Sequence, residues 1–360
     1  MNDARPGLAA VRDADQLDWP RIEAYVRAHA PFLDAALDDV RQFTNGAANL
    51  TYLLRFGPHE VVLRRPPSGT IAPGAHDMRR EWRVLSRLWR HFDRAPRAHL
   101  FCDDPSVAGA DFFVMEHRPG VVIRDEIPAP IAAHDDAARR VSFALIDAMA
   151  ELHLLDPETA GVADIGKPAG FVARQVSGWR KRWELAQARS SNDARGEMTV
   201  VASRLERSVP SPQRASIVHN DLKLDNCAFA PAEPDRVASI FDWDMTTLGD
   251  PLIDLGTLLN YWPDPSDPPD ARRGSHDGMR HMGLPARAEI TARYVARTGT
   301  DPALVRWYEA FAQWKTAVVV QQLHNRWLEG ASADPRHEHI AEGVPALAAS
   351  ASRLLDDAGL

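Results

Sequence analysis

The sequence predicts an α+β chain in two parts, a small antiparallel sheet followed by a larger, mainly α-helical half. Three observations predict it. Residues 40–65 hold three short strand-like runs joined by turn-forming residues. Helical periodicity dominates from about Asp135 onward, and Pro119-Gly120 stands before it as a linker. At 360 residues the chain exceeds one ordinary core yet is short for several independent domains. The expected division is 1–117 for the first part and 118–360 for the second.

Each element has its own signal. Pro20 follows Asp18 and Trp19, and Ile22, Tyr25 and Val26 then recur at helical spacing, which predicts a short amphipathic helix to about His29. VRQF, LTYLLRF and VVLRR are joined by the small polar TNGAAN and by GPHE, a meander of hairpins. PPSGTIAPGAH is rich in Pro and Gly and reads as a loop, and MRREWRVLSRLWRHF reads as a helix. DFFVMEHRPG follows the Asp103-Asp104-Pro105 turn as a further strand. In the second part, RRVSFALIDAMAELHLL and GFVARQVSGWRKRWELAQA are helical. ASIVHNDLKLDNCAFAP and RVASIFDWDMTTLGDP read as loops carried on a small hairpin.

Composition narrows the function. Hydrophobic residues at 45% and charged residues at 26% are globular usage. The net charge of -8, with Lys and Arg dispersed among acids, argues against a nucleic-acid partner. Two cysteines, Cys102 and Cys227, are too few for a disulfide framework or a Cys-rich zinc site and fit a reducing compartment. The first twenty residues lack an apolar signal core, and no run approaches the ~18 apolar residues of a spanning helix. A cytoplasmic protein without a membrane partner is expected. His337 and His339 lie in a polar stretch and no H-E-x-x-H pattern occurs, so no zinc is expected.

The strongest chemical signal is His219-Asn220-Asp221-Leu222-Lys223-Leu224-Asp225-Asn226, an H-x-D-x-x-x-x-N pattern as in kinase catalytic loops. An aspartate that accepts a hydroxyl proton beside a γ-phosphate, followed by an asparagine that turns back to a metal, requires that spacing. Three fixed letters recur by chance in roughly one in 50 chains of this length, so context decides. About 20 residues on, VASIF runs into Asp242-Trp243-Asp244. Asp242 is the candidate second ligand, because Mg²⁺ needs only a carboxylate and an amide oxygen beside nucleotide phosphates and water. Asp250-Pro251 reads as a helix start with an N-cap carboxylate, and Asp254 as structural.

Residues 219–254 resemble the catalytic and metal-binding segment of the aminoglycoside phosphotransferase (choline-kinase-like) family. That resemblance implies a protein-kinase-like two-lobed fold, Asp221 as catalytic base, Asn226 and Asp242 as magnesium ligands and His219 as support of the loop. Lys223, two residues after Asp221, resembles the lysine that contacts the transferred phosphate in serine/threonine kinases. QFTNGAANLTYLLRF, VVLRRPPSG and HDMRREWRVLSRL extend the resemblance toward the kinase-like domain associated with acyl-CoA dehydrogenase family members, over most of residues 40–260. By position, Asn45, Gly46 and Ala47 would lie over the nucleotide phosphates. Arg64 stands where protein kinases carry a phosphate-gripping lysine, with Glu81 as the acid that orients it. Arg65 competes for that role, and Arg64 is preferred because Val62 and Arg64 share a strand face. The backbones of Glu116 and His117 would meet the adenine edge, with ATP as the default nucleotide and GTP left open.

The reading is therefore a kinase that moves a γ-phosphate to a hydroxyl of a small molecule, tilted by the resemblance toward a hydroxyacyl metabolite. An aminoglycoside antibiotic is the alternative acceptor, and a nucleotide-binding pseudokinase that regulates a partner is the alternative function. Tyr261, Trp262, Trp307, Tyr308, Trp314, His324 and Trp327 border the expected acceptor region. Aromatic residues at helical spacing are core more often than ligand platforms. Residues 265–285 read as either an acceptor loop or a plain connection.

Overall fold

The computed structural model describes residues 7–44, 49–67, 77–189, 194–267, 277–332 and 334–360. Asn45, Gly46 and Ala47 lie outside them, as do 268–276 of the 265–285 stretch. The chain forms two compact units: unit 1 is Met1–Gly120, Glu158–Ile165 and Ala238–Thr246, and unit 2 is Val121–Pro157, Gly166–Val237 and Thr247–Leu360.

Unit 1 is built on a six-stranded antiparallel sheet. Its strands are β1 (Leu8–Ala9), β2 (Leu37–Phe43), β3 (Leu50–Phe56), β4 (His59–Arg65), β5 (Ala98–Cys102) and β6 (Phe112–Glu116), in the order β1-β2-β3-β4-β6-β5. The three expected strands are thus β2, β3 and β4. Period-two alternation sends Tyr52, Leu54, Phe56 and Leu63 to one face, where they join Ile22 and Val26 of helix α1 (Trp19–His29) in the core. Val62 and Arg64 fall on the other face, and Arg64 stands opposite Thr51 and Phe113.

Helix α2 (Met78–Leu85) presents Met78, Glu81, Val84 and Leu85 inward, and the Asp77 carboxylate caps it by accepting the Arg80 N–H at 3.1 Å. The expected helix runs further, to Phe92, but the chain breaks into a 3₁₀ turn at Leu88–Arg90. Side chains compete for the carbonyls there. Arg87 donates to the Arg83 oxygen at 2.7 Å, and Trp89 and Arg90 donate to the Ser86 oxygen. A single turn, α3 (Pro105–Ala108), completes the unit's helices.

Unit 2 is mainly helical: α4 (Ala129–Ala132), α5 (Ala137–Leu154), α6 (Phe171–Ala186), α7 (Arg195–Arg207), α8 (Leu252–Tyr261), α9 (Arg287–Thr298), α10 (Val305–Leu328) and α11 (Val344–Asp357). Its strands are β7 (Val121–Val122), β8 (Ser216–Val218), β9 (Cys227–Ala230), β10 (Glu233–Ile240, ending in unit 1) and β11 (Thr247–Gly249). Two small sheets replace the single expected hairpin: β10-β9-β7, and β8 with β11. The partner of β8 comes from beyond the Asp242 turn, a pairing invisible to local periodicity.

Helix α10 is the central column of unit 2, packed by α8 and α11. Trp307, Tyr308, Phe311 and Trp314 are almost wholly buried on it, so these aromatics are core. Trp262 is buried as well. Gly256 lets α8 approach: a Cβ there would lie 2.5 Å from the Tyr308 carbonyl oxygen. Among the described residues no helix is long and apolar enough to cross a membrane.

Gly256→Ala is therefore expected to destabilise the protein by about 1–3 kcal/mol through overpacking, against a helix-propensity gain of about 1 kcal/mol. Thermal unfolding checks this, and an unchanged or raised midpoint would show that α8 and α10 separate freely.

Candidate active site

The loop after β8 is held by one buried carboxylate. Asp254, fully buried in the first turn of α8, accepts the backbone N–H of His219 at 2.7 Å and of Asn220 at 2.6 Å. His153 of α5 reaches the same carboxylate through Nε2 at 3.1 Å, and its Nδ1 contacts the Tyr294 hydroxyl at 2.8 Å. Burial works to raise the Asp254 pKa. The bond from His153, the nearby histidine charges and the His219 N–H overcome it and hold the pKa below the usual carboxylate range. The neighbouring Asp250 carboxylate accepts the Leu252 N–H at 2.9 Å, so it does hold the helix start, but the N-cap is Pro251, one residue later than expected.

With its start fixed, the loop turns through Asn220 at φ 69°. Asn is among the few side chains that tolerate this left-handed region. Leu222 and Leu224 are buried, anchoring the backbone so that Asp221, Lys223 and Asn226 converge. Asn226 Nδ2 donates to the Asp221 carbonyl at 2.7 Å and to its carboxylate at 2.9 Å. Lys223 Nζ lies 3.3 Å from the Asp221 carboxylate and 3.8 Å from that of Asp225. His219, fully buried, accepts the Asp221 N–H through Nδ1 at 3.3 Å. The sum is a carboxylate at a loop tip with a cation and an amide fixed beside it.

Unit 1 assembles a second group. Arg64 Nε and Glu81 Oε2 form an ion pair 3.1 Å apart without the alignment of a hydrogen bond, and the other end of the guanidinium bonds the Asp242 carboxylate. Arg65 instead donates to the adjacent Pro66 carbonyl, so strand alternation brings Arg64 and not Arg65 to Glu81. Burial opposes the Arg64 charge, but Glu81, Asp242 and Asp244 more than compensate and raise its pKa. Glu81 is pushed up to about 7, first by burial and further by Asp242 and Asp244, against the pull of Arg64. Asp242 holds φ 65°, a left-handed conformation that Asp, like Asn, tolerates better than most side chains. Two of the three positive-φ non-glycine residues described, Asn220 and Asp242, thus stand at candidate site positions.

At the end of β6, the Glu116 N–H already donates to the Arg97 carbonyl at 2.8 Å, and its carboxylate lies 3.0 Å from Arg118 Nε. His117 Nδ1 lies 2.9 Å from the Glu60 carboxylate.

Residues 39–308 match the profile of the phosphotransferase enzyme family. The chain belongs to that family. Rat acyl-CoA dehydrogenase family member 11 is 34% identical over 345 residues, 94% of this chain but only 43% of the relative's length. A Ralstonia eutropha protein assigned to the aminoglycoside phosphotransferases is 26% identical with a TM-score of 0.76, covering 95% of this chain and 99% of its own. Choline kinase from Cryptosporidium parvum shares the fold at 12% identity, with a TM-score of 0.65 over 95% of this chain and 97% of that chain. The architecture is kinase-like, as expected, with an antiparallel-sheet N-terminal region and a helical C-terminal one.

The family implies a nucleotide and a divalent metal, and the donors of this phosphotransferase fit them. Among the described residues no three acidic, imidazole or thiol groups form a ready cation cage. Mg²⁺ does not require one, since it keeps waters and takes phosphate oxygens beside one or two protein oxygens. Around Arg64, three carboxylates face one guanidinium, a surplus of negative charge that a bound cation would offset. Asp254 is structural, as expected, with its reach to the loop backbone unforeseen, and His153 carries no expectation from the sequence. Their only signals are the Asp250–Asp254 spacing of one helical turn and a histidine on the buried face of an amphipathic helix.

The Asp254 contacts carry a pH signature. Its folded pKa lies below the unfolded value of about 4. The stabilisation is therefore complete above about pH 4 and is lost as pH falls through the folded value. Asp254→Asn should cost about 3–5 kcal/mol at neutral pH, and the difference from wild type should shrink in acid. Urea unfolding across pH measures it, and a pH-independent difference would contradict the assignment.

Proposed function

We propose that this phosphotransferase moves the γ-phosphate of a Mg-nucleotide, ATP in the first instance, to a hydroxyl of a small molecule, and that the acceptor is a hydroxyacyl metabolite. The observation that carries the reading is the Asp221 carboxylate with Lys223 at 3.3 Å and the Asn226 amide at 2.9 Å. Asp221 takes the hydroxyl proton as the acceptor oxygen bonds to the γ-phosphorus. The bond from that phosphorus to the bridging oxygen breaks, and a nucleoside diphosphate leaves. Lys223 stabilises charge developing on the transferred group, and Arg64, oriented by Glu81, neutralises the phosphates.

Asn226 spends its amide N–H groups on Asp221, leaving its Oδ1 for the metal, with the Asp242 carboxylate as the other protein ligand. Bound Mg²⁺ would supply neutralisation of the phosphate charge. Asn45, Gly46 and Ala47 would cover the phosphates. Since the sheet engages the Glu116 N–H, adenine contact there falls to its carbonyl and to His117. The hydroxyacyl acceptor is supported by relatives named for acyl-CoA dehydrogenation, at 34% identity in the rat protein.

Mg-dependent ATP consumption tests the reading with wild type and Asp221→Asn, across hydroxyacyl-CoAs, aminoglycosides and amino alcohols. An acceptor should raise wild-type turnover, and the variant should lose about 10²–10⁴-fold while still binding nucleotide. Nucleotide binding with no product from any acceptor would overturn the kinase reading in favour of a pseudokinase.

A further inference from the structure

Near the catalytic loop, unit 2 carries two cations, Lys315 and Arg182, that form no ion pair with a carboxylate of the described residues. Lys315 of α10 and Arg182 of α6 both lie against one indole, that of buried Trp179. The Arg182 guanidinium is 4.3 Å and the Lys315 ammonium 5.6 Å from its ring centre. Neighbouring arginines show the usual arrangement: Arg180, two residues before Arg182, bonds both Glu184 and Glu206.

Lys315 is near enough to Asp221 for the two charges to act on each other, and packed residues of α8 and α10 lie around them. Lys223, at 3.3 Å from Asp221, sits 5.1 Å above the Tyr261 ring at the end of α8. Asn260, next to Tyr261, donates to Thr316 at 2.9 Å, and Thr316 follows Lys315 on α10. Helices α6 and α10 pack together, which brings Trp179 and Arg182 to the same place.

As it stands, this arrangement is costly. Burial lowers the Lys315 pKa, Arg182 and Lys223 push it the same way, and only the Asp221 and Asp254 charges oppose them. Cations that share a ring repel each other unless an anion joins them, and an indole satisfies neither charge with a hydrogen-bond acceptor. A polycationic acceptor would meet repulsion from both groups.

We propose that Lys315 and Arg182, seated on Trp179, are the subsite for an oxyanion of the acceptor, so that the phosphotransferase takes hydroxylated anions and excludes polycations. The proposal rests on the kinase reading above and narrows its acceptor. The oxyanion is either the carboxylate of a free hydroxy acid or a phosphate of its coenzyme A thioester, and both present the same chemistry to an ammonium–guanidinium pair.

The test uses octanoic acids hydroxylated at carbons two to five, their amides, their coenzyme A thioesters and their uncharged pantetheine thioesters. Steady-state kinetics and equilibrium titration calorimetry are run on wild type, Lys315→Met, Lys315→Arg and exposed Arg182→Gln. Wild type should prefer the anionic member of at least one pair, acid over amide or coenzyme A over pantetheine thioester. Which pair responds identifies the oxyanion. Lys315→Met and Arg182→Gln should raise KM and Kd for that anion by roughly tenfold or more, the loss of one charged contact. They should leave the neutral partner's affinity in place, and Lys315→Arg should restore much of the preference.

Equal binding of charged and neutral members by wild type, or equal losses for both in the variants, would overturn the subsite. Calorimetry reads the subsite without turnover. A charge preference with no phosphorylated product therefore sinks the kinase reading alone, and product formation without a charge preference sinks the subsite alone.

Discussion

One buried carboxylate orders the candidate chemistry of unit 2. Asp254 has no contact with solvent and collects two backbone N–H groups from consecutive loop residues together with an imidazole from α5. Such a group keeps its charge only while all of these donors stay in place. The direction in which β8 runs into the loop, the left-handed turn at Asn220 and the placement of Asp221 all follow from it. Buried Leu222 and Leu224 fix the next turn and Asn226 closes it, so Asp221 stands on a backbone with little freedom to relax.

Unit 1 meets a comparable demand with different chemistry. Arg64 brings a planar fork with several donors and uses it on two carboxylates, Glu81 and Asp242. A lysine ammonium can meet two carboxylates too, but as a point charge and not from the two ends of a planar fork. Arg64 is therefore oriented from both sides, and the acid surplus around it makes a cation the natural complement of the group. The Glu81 pKa, raised first by burial and further by Asp242 and Asp244, reflects that surplus in part.

Where local rules were sufficient, the sequence was legible. Alternation in β3 and β4 separates the Tyr52 and Leu63 face from the Val62 and Arg64 face, and that separation alone favours Arg64 over Arg65. Caps such as Asp77 and Asp18 acted within a few residues of themselves. What escaped depends on distance along the chain. Asp254 acts on residues 34 and 35 positions earlier, and His153 on one 101 positions later. The partner of β8 lies beyond an intervening sheet, and the end of α2 depends on which side chains capture two carbonyls. Lys315 was hidden by its neighbours, since a lysine after Phe311 and Trp314 reads as the edge of a core face until Trp179 is seen beneath it.

Each group is internally consistent within its own unit, and the proposed reaction assigns Asp221 to the hydroxyl and Arg64, Glu81 and Asp242 to the phosphates. The most direct test follows the oxygen atom. Acceptors carrying ¹⁸O in the hydroxyl are incubated with the protein, Mg²⁺ and ATP, and the products are resolved by mass spectrometry. The account predicts a phosphate ester that retains ¹⁸O between carbon and phosphorus, with one ADP formed for each ester. ADP accompanied only by unlabelled inorganic phosphate, or bound ATP that is never consumed, would contradict it.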